Sequence, residues 1–173
     1  ETRPGRFPPL DAVALGTMFD LLDDLVRQVR VDAPALTPGA AELDALGRFM
    51  SAHKLITIPK AAPATVQETP PFLRATTSAS MDIPGPFEKV ATEAYYNMTL
   101  PDPKASAKAT REFMKQWYYA LISNVSVHEV WPGHYLQFLY ASRYPSDVRK
   151  VLSSNANSEG WAHYCEQMVL DEG

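Results

Sequence analysis

Apolar positions recur every three to four residues over several stretches of the chain, and these stretches predict its helices. Leu15, Met18, Phe19, Leu22, Leu25, Val26 and Val29 share one side, with Asp20, Asp23, Asp24 and Arg27 opposite. Asp11 stands in position to cap them, so an amphipathic helix is predicted from there to about Arg30. Thr37-Pro38 is a cap followed by proline at the first helical position, where its missing N–H costs nothing. Leu43, Leu46, Phe49 and Met50 carry a second helix to about Lys54. Further on, Phe113, Met114, Trp117, Leu121 and Val125 repeat at helical spacing, and His128 continues the stripe. Residues 134–143 are helical in pattern, and Pro145 starts a short helix. A last helix, from about Asn157, places Trp161, Tyr164, Cys165, Met168 and Val169 on one face.

Between these helices the pattern changes. Six prolines fall from Pro59 to Pro86, too many for helix. Leu55-Ile56-Thr57-Ile58 reads as a strand. So does Thr92 to Leu100, which holds Tyr95, Tyr96, Met98 and Thr99 and stops at Pro101. The two form a small sheet or an extended arm over the helices. The expected fold class is mainly α, with an extended or β portion between residues 55 and 100. Residues 1–54 are a helical pair, 55–103 a proline-rich arm and 104–173 a second set of helices, together one segment (1–173) of a larger helical domain.

Composition narrows the function by exclusion. With 46% hydrophobic and 21% charged residues the chain is an ordinary globular one. A net charge of -4 without a local Lys/Arg cluster gives no footprint for nucleic acid or an anionic membrane. No apolar run is long enough to span a bilayer. The single Cys165 excludes an internal disulfide. Glu1 is not a natural start and Gly173 closes a helical segment, so the sequence reads as a piece of a longer protein, and its compartment is not legible.

The strongest chemical signal is His128-Glu129-Val130-Trp131-Pro132-Gly133-His134. Imidazoles are good zinc ligands, and a Glu beside the first can take a proton from an activated water. In the usual helical motif the two His are four apart and share a face. Six residues on a regular helix turn through about 600°, leaving the rings about 120° apart. Pro132 resolves this, since it cannot donate back to the carbonyl of His128. Gly133 can take backbone conformations closed to other residues. The pair can loop out the two extra residues and return His134 to the metal.

A third ligand is expected downstream. Glu159, His163 and Glu166 are candidates, and their spacings of four and seven put them on one helical face. On spacing alone that face reads first as a solvated polar one. His53 extends the Leu46/Met50 stripe as a helix-end core or capping residue, and Cys165 lies in the Trp161/Met168 stripe as core. Tyr95 and Tyr96 are strand residues that could also contact substrate.

Taken together, His128 to Gln137, Glu159 to Glu166 and Glu68-Thr69-Pro70-Pro71-Phe72 resemble the bacterial domain-of-unknown-function 885 family. Pro84-Gly85-Pro86-Phe87 and Tyr95-Tyr96-Asn97 are similar to it as well. Its hallmarks are a His-Glu-x-x-Pro-Gly-His block followed by Leu-Gln, here Leu136-Gln137, and a Glu-Gly-Trp-Ala segment. The resemblance runs from about Leu55 to Gly173. It implies a gluzincin-like zinc metallopeptidase with a helical metallopeptidase-like core. It implies one zinc ion held by His128, His134 and Glu159, with Glu129 as general base. Many members carry a second His where this chain has Tyr135, and Leu where it has His163. The first departure removes a rival ligand. The second adds one, so His163 and Glu166 stay open as metal ligands or supporting residues.

The expected function is zinc-dependent hydrolysis of peptide or peptide-like amide bonds. The alternatives are a metal hydrolase acting on a non-peptide amide or ester, and a non-catalytic metal-binding or interaction fragment.

Overall fold

The computed structural model describes residues 36–173. The helix expected over residues 11–30 lies outside them. Helix α1 spans Leu36–His53 and buries Leu43, Leu46 and Met50 along one stripe. It ends because Lys54 takes a left-handed backbone conformation (φ 54°). That turn returns the Leu55 N–H to the Met50 carbonyl at 3.2 Å. His53 is not a core residue: it is exposed and lies against the Phe49 ring, with centroids 4.1 Å apart.

Three strands follow, β1 (Ala64–Glu68), β2 (Ala79–Asp82) and β3 (Ala94–Met98). They form one sheet in the order β1-β3-β2. β1 runs parallel to β3, with Val66 opposite Tyr96. β2 runs antiparallel to it, with Met81 opposite Tyr96. Residues 55–58, expected as a strand, are not one. Their neighbourhood is tied to a helix by side chains instead: Tyr140 donates to the Thr57 carbonyl at 2.7 Å and Arg143 to that of Lys60 at 2.7 Å.

The remaining elements are α2 (Ala107–Met114), α3 (Tyr119–Glu129), α4 (His134–Arg143), α5 (Asp147–Val151) and α6 (Asn155–Glu172). Ser106 caps α2, accepting from the Ala109 N–H at 3.2 Å. The stripe from Phe113 to His128 predicts one helix, but the chain breaks between α2 and α3, where Tyr118 is extended (φ -78°, ψ 160°). Periodicity could not reveal this break, because Phe113, Met114, Trp117 and Ile122 pack on the same core from both sides of it. That core lies between β3 and the helices and also holds Leu43, Tyr96, Met98, Val130 and Tyr135.

A second cluster joins Leu46, Val127 and Cys165, with Trp161, Met168 and Val169 packed around it. It fixes α6 against α3. Tyr164 does not belong to that face and is exposed. Among the described residues, no helix is long and apolar enough to cross a membrane.

Candidate metal centre

The site begins where α3 ends. Successive hydrogen bonds there widen the helix. Val130 N–H reaches the Ser126 carbonyl at 2.9 Å, Trp131 N–H reaches the same oxygen at 3.2 Å, and Gly133 N–H reaches Val127 at 2.9 Å. The spans grow from four to five to six residues. The chain then starts α4 at His134. Gly133, at φ -69° and ψ -131°, lies outside both the helical and the extended regions. Space calls for glycine as well: a Cβ there would stand 1.7 Å from the His128 carbonyl oxygen.

This widened turn brings the two imidazoles together. Their centroids are 4.8 Å apart and the rings perpendicular. Glu159, from the first turns of α6, completes the group. Its carboxylate lies 3.3 Å from His128 Nε2 and 3.6 Å from His134 Nε2. One donor atom from each of the three residues lies within 4.8 Å of the others, a spacing that could hold a metal ion.

Each imidazole has a partner for its other nitrogen. His128 Nδ1 is 2.6 Å from Glu166, which also accepts from Asn124 at 2.9 Å. His134 Nδ1 is 3.4 Å from the Ser158 hydroxyl. Burial, and then the neighbouring His128, lower the His134 pKa, which favours the neutral ring a metal requires. Burial acts to raise Glu166, but hydrogen bonds from His128 and Asn124 outweigh it and hold the carboxyl below its usual range.

His163 and Glu166 form a second possible set with His128. His163 Nδ1 is 3.1 Å from the same Glu166 oxygen that His128 approaches. In this set the His128 nitrogen is already engaged at 2.6 Å, and the His163 side chain is largely exposed. The set that includes Glu159 instead lines a cavity of about 350 Å³ with Glu129, Phe138 and residues 79–81 of β2.

Glu129 is buried. Burial pushes its carboxyl up to about 7; His128 opposes the shift and Glu159 adds to it. The candidate substrate residues do not join this cavity. Tyr96 is wholly buried, and its hydroxyl receives a hydrogen bond from Ser126 at 3.4 Å. Tyr95 is half-buried and is not among the lining residues.

The family model for bacterial proteins of unknown function, DUF885, matches residues 18–173. The chain belongs to this family. No curated protein and no solved structure matches it. In this DUF885 chain Tyr135 is buried and donates to the Ala62 carbonyl, away from the metal-type donors. Sequence reasoning missed Ser158, Asn124, Phe138 and the β2 residues. Phe138 had a signal, since it lies one helical turn after His134 and stacks on it at 5.7 Å. Short β2 had none.

Proposed function

We propose that this chain carries the active site of a zinc-dependent hydrolase of the gluzincin-like metallopeptidase type, cleaving peptide amide bonds. The observation that carries the reading is the convergence of His128, His134 and Glu159 on one cavity, with buried Glu129 beside them. The donor set fits the metal. Two imidazoles and one carboxylate are a common ligand set for catalytic zinc, leaving a position open. The thiol of Cys165 is turned to the Pro132 carbonyl, so it does not close the set as a structural site would.

When bound, zinc supplies Lewis acidity toward a water and a substrate carbonyl. The protein's own part is proton handling and orientation. Glu129 takes the proton of the attacking water and passes it to the leaving amine, a role its place in the same cavity as the three donors allows. Glu166 and Ser158 hold the two imidazoles from behind.

The edge strand β2 favours a peptide over other amides. Thr99 N–H donates to the Ser78 carbonyl at 2.8 Å, so Ser80 and Asp82 also face β3 through their backbone groups. The backbone of Met81 and the N–H of Ala79 then face away from β3, on a strand that lines the cavity. An extended peptide can pair there.

The test uses the full-length protein. Metal analysis should give about one zinc per chain. Glu129→Gln should keep the zinc and lose peptide hydrolysis by about 10²-fold or more, whereas Glu159→Gln should lose both. A folded wild-type protein without metal would overturn the reading. So would a Glu129→Gln variant that releases zinc while Glu159→Gln retains it.

A further inference from the structure

The break that joins the two imidazoles leaves the buried Pro132 carbonyl without its helical partner. In an unbroken helix Pro132 would accept from the N–H of Leu136. That N–H instead returns to Val130 at 3.4 Å, and the next, from Gln137, goes to Gly133 at 3.1 Å. Pro132 is fully buried, so water is a poor substitute, and an unpaired carbonyl there is costly. Two side chains supply the donors: Trp161 Nε1 at 2.9 Å and Cys165 Sγ at 3.5 Å. The indole bond is of ordinary length, whereas a thiol is a weak donor.

Both donors lie on α6, the helix that carries Glu159. Trp161 is two residues beyond that carboxylate, and Pro132 is two residues before His134. One hydrogen bond therefore ties the turn that orients the imidazole pair to the helix that presents the carboxylate. Trp161 also packs on the Leu46, Val127 and Cys165 cluster, and Glu166 ties the middle of α6 to Asn124 and His128 of α3. Near Glu159 the bonds from Ser158 to His134 and Gln137 are long, at 3.4 Å, so the 2.9 Å indole bond is the shorter directional link from this end of α6 to the turn itself.

We propose that Trp161 is a positioning residue: its indole N–H, through the Pro132 carbonyl, sets the separation between Glu159 and the two imidazoles. This rests on the reading of those three residues as zinc ligands. Loss of the N–H leaves the carbonyl to the weak Cys165 donor and loosens the turn relative to the first turns of α6, while Glu166 still holds the middle of that helix.

Trp161→Phe in the full-length protein removes the donor and keeps an aromatic ring. Zinc affinity, measured by chelator competition, should fall about 10–100-fold, as for other groups that orient metal ligands. The visible spectrum of the cobalt-loaded protein should change at saturation, because the ligand geometry changes and not only the occupancy. Met168→Ala is the control. It removes packing from the same cluster without touching Pro132, and should lower stability but leave the cobalt spectrum unaltered. Where Trp161→Phe fails to fold, a benzothiophene analogue of tryptophan at this position, of nearly the same shape but without N–H, makes the same test. A folded variant with zinc affinity within twofold of wild type and the same cobalt spectrum would overturn the proposal and leave the zinc reading standing. Wild-type protein that binds neither metal would overturn both.

Discussion

His128 donates from Nδ1 to a carboxylate oxygen of Glu166 at 2.6 Å, and this contact decides which nitrogen faces the cavity. The Glu166 carboxyl is held below its usual range, so at neutral pH it is ionised and can only accept. Nδ1 must then carry the hydrogen. In the neutral ring Nε2 keeps its lone pair, on the side where Glu159 and His134 lie. The helix that offers Glu159 thus also sets the tautomer of His128.

From this follows a graded loss of metal affinity. Glu166→Gln keeps an acceptor without its charge and should weaken zinc binding about tenfold, while Glu166→Ala should weaken it by up to about 100-fold. Asn124→Ala, which removes one donor to Glu166, should have a smaller effect in the same direction. Chelator competition on the three variants checks the order. Equal affinity in Glu166→Ala and wild type would rule out the tautomer role.

Two glycines near the ligands should respond in opposite ways. An alanine Cβ at Gly133 would sit 1.7 Å from the His128 carbonyl oxygen and 2.4 Å from that of Val127. Both obstacles are backbone, so the turn must rearrange, and Gly133→Ala should destabilise the fold by about 3 kcal/mol or more. At Gly160, inside α6, a Cβ meets nothing within 4 Å. Gly160→Ala should be neutral or stabilise by about 0.5–1 kcal/mol through helix propensity. Denaturant titrations of the two variants measure the contrast. A Gly133→Ala protein as stable as wild type would show that the His128 carbonyl does not approach Gly133 this closely.

Much of this was legible in the chain because it rests on periodicity or on a forced break. Leu43, Leu46 and Met50 placed α1, Tyr95 to Thr99 placed β3, and residues 134–143 matched α4. Pro132-Gly133 signalled that the rings of His128 and His134 could meet only off a regular helix. Gly133 does take a backbone conformation outside the helical and extended regions, and the close approach of the His128 carbonyl, which no local pattern signals, calls for glycine as well. What stayed hidden depends on contacts distant in sequence. Leu55 to Ile58 has the composition of a strand but pairs with no strand. The turn at Tyr118 interrupts a stripe that packs on one core from both sides. The polar face of Glu159, His163 and Glu166 looked solvated on spacing alone. Only the position of His128 separates half-buried Glu166 from exposed His163.

The last prediction concerns Cys165, which reports on the same junction by a chemical route. Its thiol is buried and lies 3.5 Å from the Pro132 carbonyl. Burial, with the charge of Glu166 adding to it, pushes the thiol up to about 12. A raised pKa means less thiolate at every pH below that value, and thiolate is the form that reacts. At pH 8 an ordinary thiol near 8.5 is about one quarter ionised, while one near 12 is ionised to about one part in 10⁴. Native Cys165 should therefore be alkylated at least about 10³-fold more slowly than the same residue in denaturant. Labelling in the native state then proceeds mainly through openings that detach α6 from the Pro132 turn. An ion that binds His134 and Glu159 together ties the two sides of that opening, so zinc should slow the labelling further. Timed alkylation with iodoacetamide, read by mass spectrometry on metal-free and zinc-loaded protein, decides it. Labelling of the metal-free native protein within tenfold of the denatured rate would show that Cys165 is not held against Pro132, and a rate indifferent to zinc would separate this junction from the metal centre.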